Sequence, residues 1–439
     1  MNPKWHFNTQ RLCDRTRDPN NDAFFTAESL DNLSEALVRE GIQNSLDAAL
    51  RTNENIRQVR VRIRYEQSAS AEARGYIAKM FGTAQAHFEH GLSISSLEQL
   101  FGKDCGYLLF EDFGTKGLLG DVEECRLERA AQNAFFSFFR AEGLSSKSLG
   151  SLGRWGIGKQ VFPTSSRLHG MLGLTVRDET PRRVLMGSAV VRTHSINGQD
   201  FQPDAWFGNR VDIDKPVSPV TDENTIDEFI KIFGLKRADE SGLSIVVPSV
   251  DERVNIEDLR RGIVRSFFWP ILQGELVVDL ETPGGAWHLD AETLSTHRDL
   301  LPANEAAVLE FAAWASTAKP SEYVLLPDQG AVRPDWRALN SLLLPEDKLN
   351  EIRDHLEKDK HVCVCIPVRV RPKYEGGRES ASSFLVFIES CRDAGYRTLF
   401  LRDGIVITDV RCPLMSGFRS VVVVDERGLA GLLTIWLES

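Results

Sequence analysis

The run Arg39-Glu40-Gly41-Ile42-Gln43-Asn44-Ser45-Leu46-Asp47-Ala48 constrains this chain more than any other stretch. At about 100° per residue, a helix through it gathers Glu40, Asn44 and Asp47 within roughly 60° of one another. Val38, Ile42, Leu46 and Ala49 fall on the opposite side and read as the buried face. Acid, amide and acid in front of an apolar back suit a divalent cation and a water molecule. Magnesium takes oxygen ligands and keeps several waters, so one Asn44 oxygen together with phosphate oxygens can hold it. The neighbouring Glu40 can then act as general base on an attacking water. A polar helix face that meets only solvent is the other reading of this stripe, and on these residues alone both stay open.

Length and charge narrow the classes. A chain of 439 residues can bury two or three sizeable cores. A formal charge of −11 argues against a general nucleic-acid coat, so DNA is not indicated, although it leaves room for a local basic patch. The seven cysteines show no paired Cys/His spacing of the zinc kind, and an odd count fits a reducing compartment. Cys363 and Cys365 flank one residue of a strand-like run and so share a face. His87 and His90 lie three apart in an expected helix with no further ligand near them in sequence. No apolar signal region opens the chain and no segment approaches a membrane span, so the expectation is a cytoplasmic protein without membrane contact.

Periodicity sets the expected elements. A helix is expected over 28–52, and Val59 to Tyr65 alternates apolar and basic residues as a half-exposed strand does. An Ala-rich helical stretch covers 70–90, and Tyr107-Leu108-Leu109-Phe110 reads as a buried strand ending at Glu111-Asp112-Phe113-Gly114. Residues 121–141 look helical with an aromatic patch, and the Gly/Ser-rich segment from Gly143 to Gly153 reads as a mobile loop. Strands are expected at 168–176, 183–193 and 243–248. A composition change near Pro248-Ser249-Val250-Asp251 suggests a domain boundary, giving domains 1–252 and 253–439. Beyond it the pattern predicts helices at 256–272, 303–317 and 346–358, a strand at 275–280, and a strand-rich end from His361 to Asp425.

Two glycine clusters follow the acidic helix. In Asp112-Phe113-Gly114-Thr115-Lys116-Gly117, an acid at a strand end can accept a hydrogen bond from the exocyclic amine of adenine, with glycines letting the backbone approach ring and sugar. In Gly153-Arg154-Trp155-Gly156-Ile157-Gly158-Lys159, small residues open a helix whose free N–H groups and dipole can cradle phosphates, and Lys159 adds a point charge. Rival readings exist. Asp112-Phe113-Gly114 matches a protein-kinase tripeptide, but no His-Arg-Asp loop precedes it. Gly153 to Lys159 has part of a P-loop, yet Gln160 stands where Ser or Thr binds magnesium, and no buried strand leads in. Plain turn glycines explain either cluster alone.

Taken in order, the three motifs resemble the GHKL ATPase superfamily of gyrase, heat-shock-90 chaperones, histidine kinases and MutL proteins. Glu40-x-x-x-Asn44-x-x-Asp47-Ala48 resembles its N-box, which implies Glu40 as the water-activating base, Asn44 as the magnesium ligand and Asp47 as a supporting polar residue. The resemblance makes Asp112 the adenine-reading aspartate, Gly114 and Gly117 the first glycine box, and Gly153, Gly156 and Gly158 the second. It implies a lid over about 118–155 and an α+β architecture: a Bergerat-type ATP-binding α/β sandwich followed by a second, transducer-like α/β domain. The first box departs from the commoner pattern by one extra residue between its glycines. In Ser241-Gly242-Leu243-Ser244, Leu243 replaces the family's threonine, so a hydroxyl contact is expected from Ser241 or Ser244 or is absent.

The implied cofactors are ATP and Mg2+. With only about forty residues before Glu40 and no phospho-accepting helix there, a phosphorelay is not expected. Lys373, in an expected hairpin loop, is the candidate to reach the γ-phosphate from the second domain; on the residues alone a solvated basic loop is the favoured explanation. The functional expectation is an ATP-hydrolysing enzyme whose lid closure and homodimerisation serve a protein partner in a multi-subunit system, such as anti-phage defence or DNA processing. Two other readings are a nucleotide-responsive scaffold with negligible turnover and a DNA-binding subunit.

Overall fold

The computed structural model describes residues 2–18, 32–51, 58–129, 132–141, 158–212, 215–328, 344–370, 380–396, 398–407, 415–424 and 429. Among these the chain is a mixed α+β protein with two sheets. The first sheet contains β1 (Lys4–Thr9), β2 (Val59–Glu66), β3 (Tyr107–Phe113), β4 (Gly170–Val176), β5 (Arg183–Val190), β6 (His194–Ile196), β7 (Gln199–Gly208), β8 (Gly242–Pro248), β9 (Leu276–Thr282) and β10 (Gly285–Leu289). Its order is β1-β7-β5-β4-β8-β3-β2-β9-β10, with β6 paired to β7. Only β2 and β9 run parallel among its described ladders.

Strand β3 is buried along its whole length, so both faces of the sheet are covered there. Side chains alternate between faces, placing Leu108, Phe110 and Asp112 on one and Tyr107, Leu109 and Glu111 on the other. Helix α1 (Leu33–Asp47) covers the first face. Its Leu37, Val38 and Ile42 are fully buried, as are Val59, Val61 and Ile63 of β2, and each such side chain contributes about 1.5–3 kcal/mol. Leu46, expected on that buried face, is only half-buried. The second face carries α2 (Ala71–Gly82), α3 (Gln85–Leu92) and, later in the chain, the helix Glu223–Phe233. They close a core of Trp5, Phe81, Phe88, Leu172, Leu174, Phe229 and Phe233.

Local chemistry sets the helix ends. Asn32 caps α1, its side-chain oxygen accepting from the Glu35 N–H at 2.8 Å, and Ala49 leaves the helix to bridge Thr115. The helix is therefore shorter than the span expected from periodicity, of which 28–31 and 52 lie outside the described residues. Among the described residues of 121–141, only α4 (Ala134–Phe139) is α-helical, beside a 3-10 turn at Leu127–Arg129. Asp121 bonds the Glu123 N–H at 2.9 Å and Asn133 that of Phe136 at 2.8 Å, so short polar side chains spend the local donors on turns and a late cap. Strand β2 departs from a half-exposed strand too. Arg62 is buried between Glu111 and Glu281, because the sheet has a helical layer on each face.

A histidine pair joins α3 to β6. His194 Nδ1 lies 3.0 Å from the Arg192 carbonyl and must donate to it, so neutral His194 accepts at Nε2 from His87 Nδ1, also at 3.0 Å. His87 stacks on Phe7 at 4.5 Å and meets the edge of Phe201 at 4.5 Å. Burial first, then His194 and His90, pushes His87 down to about 4 from 6.5. His194 is lowered by burial as well. The unfolded chain therefore takes up protons below 6.5 that the folded chain refuses until about 4. Stability is full above the upper value and falls as pH drops through that window. Thermal melts between neutral and mildly acid pH are expected to show this fall, and the slope should flatten in His87→Gln, which retains a donor toward His194.

The break between compact units falls after Gly262, and Glu275–Leu289 returns to the first unit. The pair β9–β10 is thus hydrogen-bonded into the first sheet, past the boundary expected near residue 252. Next along the chain after α4 come α5 (Val161–Thr164), α6 (Glu223–Phe233) and α7 (Ile256–Leu272). The second unit carries α8 (Ala303–Thr317), α9 (Glu346–Lys358) and β11 (Tyr323–Leu325), β12 (His361–Val370), β13 (Ser380–Tyr396), β14 (Leu399–Arg402), β15 (Ile405–Ile407) and β16 (Met415–Val424). Its sheet order is β11-β12-β13-β16-β14-β15. Val324, Leu326, Val362 and Val364 form a core beneath α9, with Ile352 and Leu356 against it. Cys363 and Cys365 share a face, as the two-residue period requires. Among the described residues no helix is long and apolar enough to cross a membrane.

Candidate functional site

The end of α1 is stitched to the first glycine turn. Leu50 N–H donates to the Gly114 carbonyl at 2.9 Å, Lys116 N–H donates to the Ala48 carbonyl at 3.0 Å, and Ala49 bridges Thr115 between them. Asn44 and Asp47 therefore stand beside the turn that follows Asp112, with Glu40 one turn further back; all three are half-buried. The described end of the second glycine cluster, Gly158 to Gln160 with α5, also packs on α1. A side chain at Gly41 would collide with the rings of Phe110 and Phe162, so glycine lets α1 sit close to both elements. Gly153 and Gly156 lie outside the described residues, and so does Lys373.

Asp112 is the hub of the site and is 5% exposed. Its Oδ1 accepts from Thr115 Oγ1 at 2.7 Å and from the Leu243 N–H at 2.7 Å. Its Oδ2 lies 3.1 Å from Ser45 Oγ, whose single proton is shared with the Gly41 carbonyl at 3.0 Å. Among the described residues Oδ2 accepts from nothing else, which leaves it one acceptor position for an outside donor. The hydroxyl contacts come from Thr115 and Ser45, neither of them the expected Ser241 or Ser244. Ser241 donates to the Thr115 carbonyl and Ser244 to Glu111, because alternation turns Ser244 to the other face of the sheet. Both missed residues had a signal: Ser45 lies next to Asn44 in the helix motif, and Thr115 lies between the box glycines.

Gly114 and Gly117 both have left-handed backbone, with φ of +78° and +69°. A Cβ at Gly114 would strike the Gln58 carbonyl, and one at Gly117 the Val176 carbonyl. Turn geometry and close backbone approach therefore suffice to require both glycines.

Behind Asp112, on the opposite face, lies a buried ionic network. Glu111 accepts from Arg62 at 2.6 Å, from the Lys236 N–H at 3.1 Å and from Ser244 at 3.0 Å. Arg62 also forms a two-pronged pair with Glu281, both contacts at 2.7 Å. Burial works to lower the Arg62 guanidinium, but its bonds to Glu281 and Glu111 hold it above its ordinary value. Arg237 is lowered by burial, against the opposing pull of Asp112, Glu111 and Glu240.

Lys159, the expected point charge on the phosphates, has carbonyl partners within the first unit. It is buried, and its ammonium donates to the carbonyls of Ser137 and Ala141 at the end of α4. A cation there answers the negative end of a helix and its unpaired carbonyls. The start of the expected lid is anchored as well. Arg177, 1% exposed, donates to the carbonyls of Leu118 and Gly120, while Leu118 N–H donates to Thr175 at 2.9 Å. Arg140 holds the Val122 and Val217 carbonyls at 2.9 and 3.0 Å. Residues 118–122 are thus tied to the body of the first unit. Of the expected lid, 130–131 and 142–155 lie outside the described residues.

Glu40, Asn44 and Asp47 offer a cation side-chain oxygens. No group of three or more His, Cys, Asp or Glu able to hold a metal exists among the described residues. Asn44, flanked by Glu40 and Asp47, fits a hard cation that takes most of its ligands from phosphate and water.

No family model matches the chain, and no curated protein matches its sequence. Among solved structures it is similar to the ATPase region of Saccharomyces cerevisiae topoisomerase II, with a TM-score of 0.34 and 9% identity over 89% of this chain and 73% of that one. It is also similar to the 43K ATPase domain of Thermus thermophilus gyrase B, with a TM-score of 0.32 and 12% identity over 92% and 84% of the two chains.

Proposed function

We propose that the first unit binds ATP with Mg2+ and hydrolyses it, as an ATPase of the GHKL type. What carries this reading is the junction of α1 with the Asp112 turn. The acid–amide–acid stripe and a carboxylate with one open acceptor position lie on segments stitched by two backbone hydrogen bonds that together form one antiparallel bridge. The open position on Asp112 Oδ2 favours a ligand that brings a donor. Adenine offers its exocyclic amine there, whereas guanine offers a carbonyl oxygen, which a carboxylate repels. Asn44 supplies the amide oxygen for the cation, which when bound neutralises phosphate charge and orients the phosphate chain. Glu40, on the same stripe, accepts the proton of the attacking water. Asp47 supports the polar stripe near the nucleotide.

The proposal extends to nucleotide-dependent homodimerisation and to coupling with a protein partner through the second, transducer-like unit, with Lys373 as the residue that meets the γ-phosphate. Calorimetric titration of the full chain tests the core of the reading. ATP with Mg2+ is expected to bind at one site per chain, about 10-fold or more tighter than GTP, the difference a hydrogen bond to a charged group supports. Equal affinities for the two nucleotides would contradict it.

A further inference from the structure

We infer that Arg237 is the positioning residue that keeps the Asp112 carboxylate turned toward the adenine amine. The inference rests on the ATP-site reading above and adds a residue that no sequence motif marks. Strands β3 and β8 pair from Tyr107↔Pro248 to Glu111↔Ser244, and there the ladder stops. Strand β8 itself runs on, paired with β4 as far as Val176↔Gly242. Arg237 enters from the loop after α6 at the point where β3 and β8 part.

Every arm of its guanidinium is used. Nε donates to Ser244 Oγ at 2.8 Å, Nη1 to the Glu240 carbonyl at 3.0 Å, and Nη2 to the carbonyls of Leu243, at 2.9 Å, and Asp112. Nη2 also stands 3.7 Å from Asp112 Oδ1. The side chain is fully buried, and Phe113 lies under it with the guanidinium carbon 4.8 Å from the ring centre. A Cβ at Gly242 would run into both Arg237 and Asp112, so the backbone there is shaped around the wedge.

This wedge has a directional consequence. It occupies the Asp112 carbonyl, so the Leu243 N–H bonds the side chain, Asp112 Oδ1, at 2.7 Å. With Thr115 on the same oxygen, Oδ1 is saturated and the open position falls on Oδ2, on the α1 face of the sheet. Without the wedge, the Asp112 carbonyl is free to take the Leu243 N–H, the ladder closes by one more pair, and Oδ1 loses the donor that fixes the carboxylate plane. A buried, fully bonded guanidinium is well suited to this task, since its three nitrogens reach the Ser244 hydroxyl and the carbonyls of Glu240, Leu243 and Asp112 from fixed directions, a spread that lysine's single nitrogen does not cover.

The test compares ATP with purine riboside triphosphate, which lacks the exocyclic amine. The wild-type chain is expected to prefer ATP by about 10- to 100-fold, the range for a hydrogen bond to a charged acceptor. In Arg237→Lys the preference should collapse to within about threefold, through loss of ATP affinity alone, while the analogue binds as before. A folded Arg237→Lys that weakens both ligands equally and keeps the preference would overturn the inference, because a residue that only holds the fold acts on both. Should Arg237→Lys fail to fold, Ser244→Ala decides the matter: of the bonds Arg237 makes it releases Nε alone, and the one other bond it removes, to Glu111, lies on the face away from the ligand. A reduced preference in that variant supports positioning, and an unchanged one overturns it. A wild-type chain that binds neither triphosphate overturns the ATP-site reading along with this one, an outcome distinct from intact preference in every variant.

Discussion

Glu40→Ala is expected to lower phosphate release from ATP by about 10²–10⁴-fold, the usual contribution of a positioned general base, while ATP affinity changes little. The asymmetry follows from position. Glu40 lies one helical turn before Asn44 on the polar stripe of α1, whereas the groups assigned to base and cation, Asp112 and Asn44, are untouched. A residue used only when water attacks affects the rate and leaves ground-state binding alone. The fold should tolerate the change, since Glu40 is half-buried on the polar side and the apolar residues Val38 and Ile42 keep their packing. Phosphate-release kinetics beside an ATP titration check it. Loss of binding in a folded Glu40→Ala chain would remove Glu40 from the role of base and make it a binding residue. If the wild-type chain binds ATP but releases no phosphate, with or without DNA, ATP is a structural ligand and the scaffold reading replaces the enzyme.

Asp112→Asn is expected to weaken ATP binding by about 10- to 100-fold, with little effect on the binding of a base-free triphosphate. The carboxylate serves two donors at Oδ1 and one shared proton at Oδ2. A carboxamide has one acceptor oxygen. If that oxygen keeps Thr115 and the Leu243 N–H, the amide nitrogen faces the ligand position and meets the adenine amine donor to donor. If it is turned round, two buried donors lose their acceptor, at about 1–3 kcal/mol each. Either orientation penalises adenine or the turn, and a melting curve separates the two. Unchanged ATP affinity in the folded variant would take the base-reading role away from Asp112.

Much of this architecture was legible from residue pattern, and the gaps have physical causes. Helix α7 spans the stretch its period predicts, and β3 follows from an unbroken apolar run. The helix motif and the first glycine turn were readable as motifs, yet nothing local announces that Ala49 bridges Thr115. That contact joins residues far apart in sequence, which periodicity does not encode. Helix α6 carried an unused signal: Asp222 caps it through the Thr225 N–H at 2.9 Å, and Ile226, Phe229 and Phe233 make a buried stripe. Strand β7 is harder, because Pro203 and polar residues interrupt its alternation. Lys159 has two roles that its place in the sequence does not separate. A lysine after glycines suggests a phosphate, whereas the ends of nearby helices offer bare carbonyls that a buried ammonium satisfies equally well. Arg237 had no sequence signature at all; its importance comes from the place where two strands separate.

The central claim is that a nucleoside triphosphate binds against the polar stripe of α1 with its base at Asp112. A crystal structure of the full chain with Mg2+ and a non-hydrolysable ATP analogue tests it most directly. The predicted result is an adenine amine within hydrogen-bonding distance of Asp112 Oδ2 and a magnesium ion on the Asn44 side-chain oxygen. Nucleotide bound away from both residues, or none bound at saturating concentration, would contradict it.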